Sequence, residues 1–346
     1  MNILVTGATG FLGSALVPLL AAEGHRLRLL QRSAAPDAER LGADVVRASL
    51  ADDGAVREAA RGVDAVYHLA GQVDFDPAEP RALYELHVDG TRRLLEACVA
   101  AGVKRVVLAS SSGTIAVSRE ERVATEADHY PIAVVAGWPY YLSKIYQEKT
   151  ALRVHGETGL PVVVLNPSLL LGPGDARLSS TDVVFKFLER RVPAMPSGGL
   201  SFVDVRDAAR AFVAALTRGR AGERYLLGGA NMPFRDFFAR LERLTGVPAP
   251  RVRLPSDVNV AGAKLLEKLH AWRGSETPLD PRSVEMGEHF WYCASGKAEA
   301  ELGFTARDAQ ETLFDTVRWL EENIRDRRRP RTVADLAGAP PARPAR

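Results

Sequence analysis

Metal-binding, secreted and membrane-spanning chains leave marks that are missing here. There are only two cysteines, Cys98 and Cys293, far apart and in no ligand or disulfide spacing. They read as small buried thiols, and a reducing, cytoplasmic compartment is expected. The seven histidines are scattered, so no metal-ligand constellation stands out. No apolar run approaches the roughly 18 residues of a membrane span, and Met1 to Val5 reads as a core strand rather than a targeting segment. Charge of one sign is lacking too. With 45 Lys and Arg against 43 Asp and Glu, no electrostatic case for a nucleic-acid partner follows. No internal repeat is visible.

What is present is an alternation of period. Short apolar, β-branched runs at 3–5, 26–30, 44–47, 64–68, 105–109 and 161–165 alternate with helical patterns at 11–22, 52–61, 82–101 and 140–158. That order predicts βαβ units around a parallel sheet covered on both faces. After residue 168 the pattern loosens through the turn cluster Gly172-Pro173-Gly174-Asp175. Helices are expected at 181–191, 205–216, 233–245, 257–272 and 309–325, with a short strand at 223–227. The reading is α/β: a Rossmann-type doubly wound parallel sheet over 1–168 and a smaller, mainly helical C-terminal substrate-binding lobe over 169–325, partly interleaved with the sheet. Residues 326–346, rich in Arg, Pro and Ala, read as a disordered basic tail.

Thr6-Gly7-Ala8-Thr9-Gly10-Phe11-Leu12-Gly13 follows the first strand and opens the first helix. Gly7 permits a tight turn, Gly10 lets backbone approach a pyrophosphate, and Gly13 allows close helix–strand packing. The helix N-terminus offers its free N–H groups to the anion. Sites that prefer NAD usually end the second strand with a carboxylate for the ribose hydroxyls. Here the chain reads Leu30-Gln31-Arg32-Ser33. Arg32 supplies a planar cation suited to a 2′-phosphate and Ser33 a hydroxyl, so NADP(H) is the expected cofactor and NAD(H) the alternative.

Tyr140 and Lys144 stand four apart and so share a helical face. A nearby ammonium favours phenolate and is expected to lower the phenol's pKa, fitting Tyr140 for general acid–base work. Ser110, Ser111 and Ser112 close the fifth strand, where one hydroxyl can hold a substrate oxygen.

With these pieces the chain resembles the extended short-chain dehydrogenase/reductases, also called the NAD-dependent epimerase/dehydratase family. Within it, the chain is most similar to the dihydroflavonol-reductase-like branch and the hopanoid-associated sugar epimerases. His68-Leu69-Ala70-Gly71, Val88-Asp89-Gly90-Thr91, Asn166-Pro167-Ser168, Gly172-Pro173, the run from Phe202 to Asp207, Lys297-Ala298 and Leu302-Gly303-Phe304 carry the likeness. The resemblance implies that Ser111 is the catalytic serine, Tyr140 the proton donor, and Lys144 the group that binds the nicotinamide ribose and tunes Tyr140. It also implies that Leu69, Ala70 and Gly71 line the cofactor cleft, that Pro167 and Ser168 sit near the carboxamide, and that the chain forms homodimers. Two positions depart from the family. His87 stands where asparagine is common and reads as a polar brace. In Ala48-Ser49-Leu50, Ser49 replaces an aspartate on the adenine amino group.

The expected activity is reduction of a carbonyl on a small organic molecule, or the reverse oxidation of an alcohol. One alternative is epimerisation or dehydration of a nucleotide sugar with bound NAD(P). The other is a non-catalytic NAD(P)-sensing protein.

Overall fold

The computed structural model describes residues 1–32, 41–75, 79–253, 255, 258–263, 265 and 281–325. Ser33, the tail at 326–346 and the remaining residues of the helix expected over 257–272 lie outside the described residues. In chain order the strands are β1 (Asn2–Thr6), β2 (Arg26–Gln31), β3 (Asp44–Arg47), β4 (Ala65–His68), β5 (Arg105–Ala109), β6 (Val162–Pro167), β7 (Leu169–Leu171), β8 (Gly199–Asp204), β9 (Arg224–Leu227) and β10 (Ala230–Pro233). The helices are α1 (Phe11–Ala22), α2 (Asp53–Ala60), α3 (Pro80–Tyr84), α4 (Gly90–Ala101), α5 (Ile132–Val135), α6 (Pro139–Thr158), α7 (Asp182–Leu188), α8 (Val205–Arg218), α9 (Phe234–Thr245), α10 (Pro281–Gly287), α11 (Gly296–Leu302) and α12 (Ala309–Leu320).

The main sheet has seven strands in the order β3-β2-β1-β4-β5-β6-β9, and every neighbouring pair is parallel. Its central strands are buried end to end, β4 and β6 at every residue, as strands covered on both faces must be. Ile3, Val5, Val163 and Leu227 turn to one face, where they pack with Leu16 and Leu20 of α1 and Phe212 of α8. Leu4, Val66, Val106 and Val164 turn to the other, against Leu94 of α4 and Ala151 of α6. A second sheet, β10-β8-β7, pairs β7 with β8 in parallel and β10 with β8 antiparallel. Around it Phe185, Phe187, Phe237, Phe238 and Leu313 build a separate core.

Local chemistry sets the helix limits. Asp52 accepts the Ala55 N–H and caps α2, and Asp204 accepts the Arg206 N–H and caps α8. Helix α6 opens on Pro139, whose missing N–H costs nothing at that position, and closes on Gly159 at φ 75°. The helix expected over 82–101 is divided. One π turn, Glu85–Asp89, separates α3 from α4, and buried His87 lies within it.

Candidate active site

Parallel strands bring their C-terminal ends to one edge of the sheet, and β1 is the strand from which the chain winds out in both directions. The ends of the first six strands supply most of the expected site residues. After β1, Gly7 takes φ +74°, and a Cβ there would sit 2.6 Å from Ala70 N. A Cβ on Gly13 would fall 2.3 Å from Gly7 O. The turn is therefore closed tightly against the segment after β4 and against its own helix. Gly10 begins α1 without any side-chain cap, so the first N–H groups of the helix have no intrahelical partner. Thr9 is half-buried, and Phe11 and Leu12 are buried against the core.

After β4, the Ala70 N–H donates to Thr6 Oγ1 at 3.2 Å, which aligns half-buried Leu69 and Ala70 and exposed Gly71 beside the glycine turn. Strand β6 ends on buried Pro167, buried Ser168 follows, and the Ser168 hydroxyl has no hydrogen-bond partner among the described residues. At the end of β2, Arg32 is exposed, while the Gln31 side chain is buried, with neither amide atom partnered among the described residues. Exposed Ser49 accepts the Ala51 N–H at 3.2 Å and so shapes its own turn; Leu50 after it is buried.

Helix α6 carries Tyr140 and Lys144 one turn apart, and Lys144 is bonded to the end of β5, two residues before Ser111. The phenol of Tyr140 is buried, and its hydrogen-bonding neighbour is the Ser111 side chain. Of the three serines, Ser110 is spent elsewhere: its hydroxyl donates to the Glu148 carboxylate. Burial pushes the Tyr140 phenol up to about 12, and the Ser111 contact only partly opposes it. This corrects the sequence expectation of a phenol lowered by Lys144, because desolvation is the larger effect. The Lys144 ammonium donates to Ala109 O at 2.7 Å and to Gln147 Oε1. Burial lowers it to about 8, against the opposing pull of Glu148. The pair is thus a neutral phenol beside an easily deprotonated ammonium.

Two buried histidines stand behind this pair. His87 Nε2 accepts the Gln72 N–H at 3.1 Å. Its proton therefore sits on Nδ1 and is donated to Ser143 Oγ at 2.8 Å, and Ser143 Oγ donates to Tyr140 O at 2.7 Å. Desolvation holds His87 at about 2, so it stays neutral. His68 bridges Thr6 Oγ1 at 2.7 Å and Thr91 Oγ1 at 2.8 Å, and Gln147 Nε2 donates to Thr91 Oγ1 at 2.9 Å. That chain connects the strand before the glycine turn to the residue holding Lys144. Gln147 and Glu148 were not singled out from sequence, and Thr91 was named only within the Val88-Asp89-Gly90-Thr91 run. For Glu148 the signal was available, since 140, 144 and 148 repeat at four residues.

Aromatic rings wall one side. Phe75 meets Tyr140 edge-on at 5.6 Å between centroids and stacks on Tyr141 at 5.9 Å. Tyr141 touches Trp291 at 4.9 Å, and Trp291 stacks on Trp138 at 5.7 Å. Gly113 gives Tyr141 its place, since a Cβ there would lie 2.2 Å from the Tyr141 ring.

The model of the NAD dependent epimerase/dehydratase family matches residues 3–228. The chain belongs to that family. It is similar to a putative dihydroflavonol 4-reductase from Synechocystis, at 33% identity over 92% of this chain and 94% of that protein. Among solved structures, that of gox2253 matches with a TM-score of 0.81 at 31% identity, covering 94% of this chain and 99% of the other. That of MoeE5, solved with UDP-glucose and NAD, matches with a TM-score of 0.72 at 25% identity, covering 94% and 100%. The family member described here is an NAD(P)-dependent enzyme, an oxidoreductase or an epimerase. Its glycine turn fits that cofactor, because the space a Cβ would fill at Gly7 and Gly13 is already taken by backbone. Among the described residues no cluster of His, Cys, Asp and Glu is arranged to hold a metal ion, and no helix is long and apolar enough to cross a membrane.

Proposed function

We propose that this protein is an NADP(H)-dependent reductase acting on a ketone or aldehyde of a small, partly apolar organic molecule. The observation that carries the reading is the buried Tyr140 phenol, held neutral and faced by the Ser111 hydroxyl. A neutral phenol is the form that gives a proton to an oxygen gaining negative charge. Ser111 donates a second hydrogen bond to the same oxygen. Bound nicotinamide dinucleotide supplies the hydride. Lys144 holds the nicotinamide ribose and eases the phenol's loss of its proton. Phe75, Tyr141 and Trp291 exclude water on one side. Gly7, Gly10 and Gly13 with the α1 N-terminus take the pyrophosphate, and Leu69, Ala70 and Gly71 line the cleft. Pro167 and the unpartnered hydroxyl of Ser168 face the carboxamide end. Ser49 and Leu50 border the adenine, and Arg32 takes the 2′-phosphate.

The test is NADPH oxidation across dihydroflavonols, aryl aldehydes, sterol ketones and 3-oxo acids, with Tyr140→Phe as control. Net turnover of NADPH that vanishes in the variant supports the reading. A tightly retained cofactor and interconversion of nucleotide sugars without net oxidation would establish the second reading, epimerisation. That reading is favoured by the likeness to MoeE5, the protein solved with UDP-glucose.

A further inference from the structure

Glu148 is a buried charge that the chemistry above leaves unexplained. It lies one turn beyond Lys144 on α6 and is fully buried. Its Oε1 accepts from Ser110 Oγ and from Asn166 Nδ2 at 2.5 Å. Thr114 Oγ1 is 2.7 Å from that oxygen and 2.8 Å from Ser111 O, so its single proton serves one of them at a time. Asn166 Nδ2 also lies 3.1 Å from Ser111 O. Three donors from three directions therefore frame the turn that carries Ser111, and all three meet at one carboxylate oxygen. The other oxygen is 3.9 Å from Arg224 Nη1, and the Arg224 guanidinium lies over the Tyr130 ring.

A carboxylate is costly to bury, and an amide in its place would keep some of these bonds. The charge itself needs a reason, and Lys144 offers one. Its ammonium is bonded to Ala109 O, the residue next to Ser110, so cation and anion grip adjacent residues of the same strand end. We propose that Glu148 is a positioning residue: it locks the turn presenting Ser111 to the turn of α6 carrying Lys144, and it keeps a negative charge beside the Lys144 ammonium. This rests on the reading of Lys144 as a cofactor-binding cation. The charged and titratable groups involved are Arg224, Tyr130 and Lys144 around Glu148, and His68, His87 and Glu148 around Lys144, with Tyr140 one turn away on the same helix.

The experiment follows NADPH binding by protein fluorescence as pH rises, which needs no substrate. Wild type should lose affinity with a midpoint near the Lys144 value of about 8. Glu148→Gln should lower that midpoint by about one pH unit, since the pull of the carboxylate on the buried ammonium is gone. Amide exchange at Gly113 and Thr114, whose N–H groups bond to Ser111, should accelerate about tenfold. Glu148→Asp keeps the charge but withdraws from the turn, so it should show faster exchange with little change of midpoint, and it carries the test if the amide variant does not fold. A folded Glu148→Gln protein with the wild-type midpoint overturns the proposal, as does a Glu148→Asp protein with wild-type exchange. Lys144→Met is the control. If its midpoint equals wild type, the assignment of Lys144 to the cofactor fails instead.

Discussion

A phenol, an amine and a neutral imidazole show how burial decides what a side chain does here. On the proposed reading Tyr140 acts as a proton donor rather than a base, because burial disfavours its anion. Replacing it by Phe should lower the reduction rate by about 10²- to 10⁴-fold with NADPH affinity kept, as read by steady-state kinetics and a binding titration. The reduction rate should hold at neutral pH and fall above the Lys144 value of about 8, where the cation is lost. Arg32→Ala should erase most of the preference for NADPH over NADH; an unchanged ratio of affinities would show that Arg32 is only a solvated surface charge. The pairing of Tyr140 with Lys144 was legible in the sequence because four residues make one helical turn. The direction of the phenol's shift was not, since desolvation depends on tertiary neighbours such as Phe75, which is far from Tyr140 in the chain and meets its ring edge-on. The choice of Ser111 over Ser110 came from resemblance alone. In the structure Glu148 occupies the Ser110 hydroxyl.

Among elements, the ones read best were those whose burial is written into a continuous apolar run. Strand β3 and helix α1 begin and end where the sequence placed them. Strands β7, β8 and β10 were not foreseen. Strand β7 is three leucines, β8 opens on glycine, and β10 contains Asn231 and ends in Pro233, so none shows a two-residue alternation. The π turn at Glu85–Asp89 was invisible for a different reason. Propensity does not mark one wide turn inside a helical run, yet that turn contains His87, which meets Gln72 and Ser143. His87→Leu would leave the Gln72 N–H without its partner and should cost about 1–3 kcal/mol in chemical denaturation, whereas His87→Asn should recover part of it. At the glycine turn, Gly13→Ala forces a methyl group onto Gly7 O. NADPH affinity should drop at least tenfold while the far-ultraviolet spectrum stays native; unchanged affinity would mean the turn has room to spare.

The whole molecule inherits a pH dependence from His68 and His87, the two imidazoles buried behind the site. His68 is held at about 3 and His87 at about 2 by burial, well under the unfolded value near 6.5. Below that value the unfolded chain binds protons that the folded one refuses. The contribution of these groups is therefore complete above about pH 6.5 and is lost as pH falls toward 3, at roughly 1.4 kcal/mol per pH unit for each histidine. Calorimetry between about pH 7 and 5 should show Tm falling steadily, with the slope roughly halved in His87→Asn. A flat Tm across that range would mean that neither imidazole is protonated on unfolding.

Strand β9 has a consequence for how the chain is made. It pairs with β6, yet it is synthesised only after β7, α7, β8 and α8 have followed β6 in the chain. A nascent polypeptide leaving the ribosome therefore shows a bare, sticky margin at β6 until Leu227 emerges. The sheet is finished late in translation, and a chaperone that shields exposed β-margins would meet this protein in that interval.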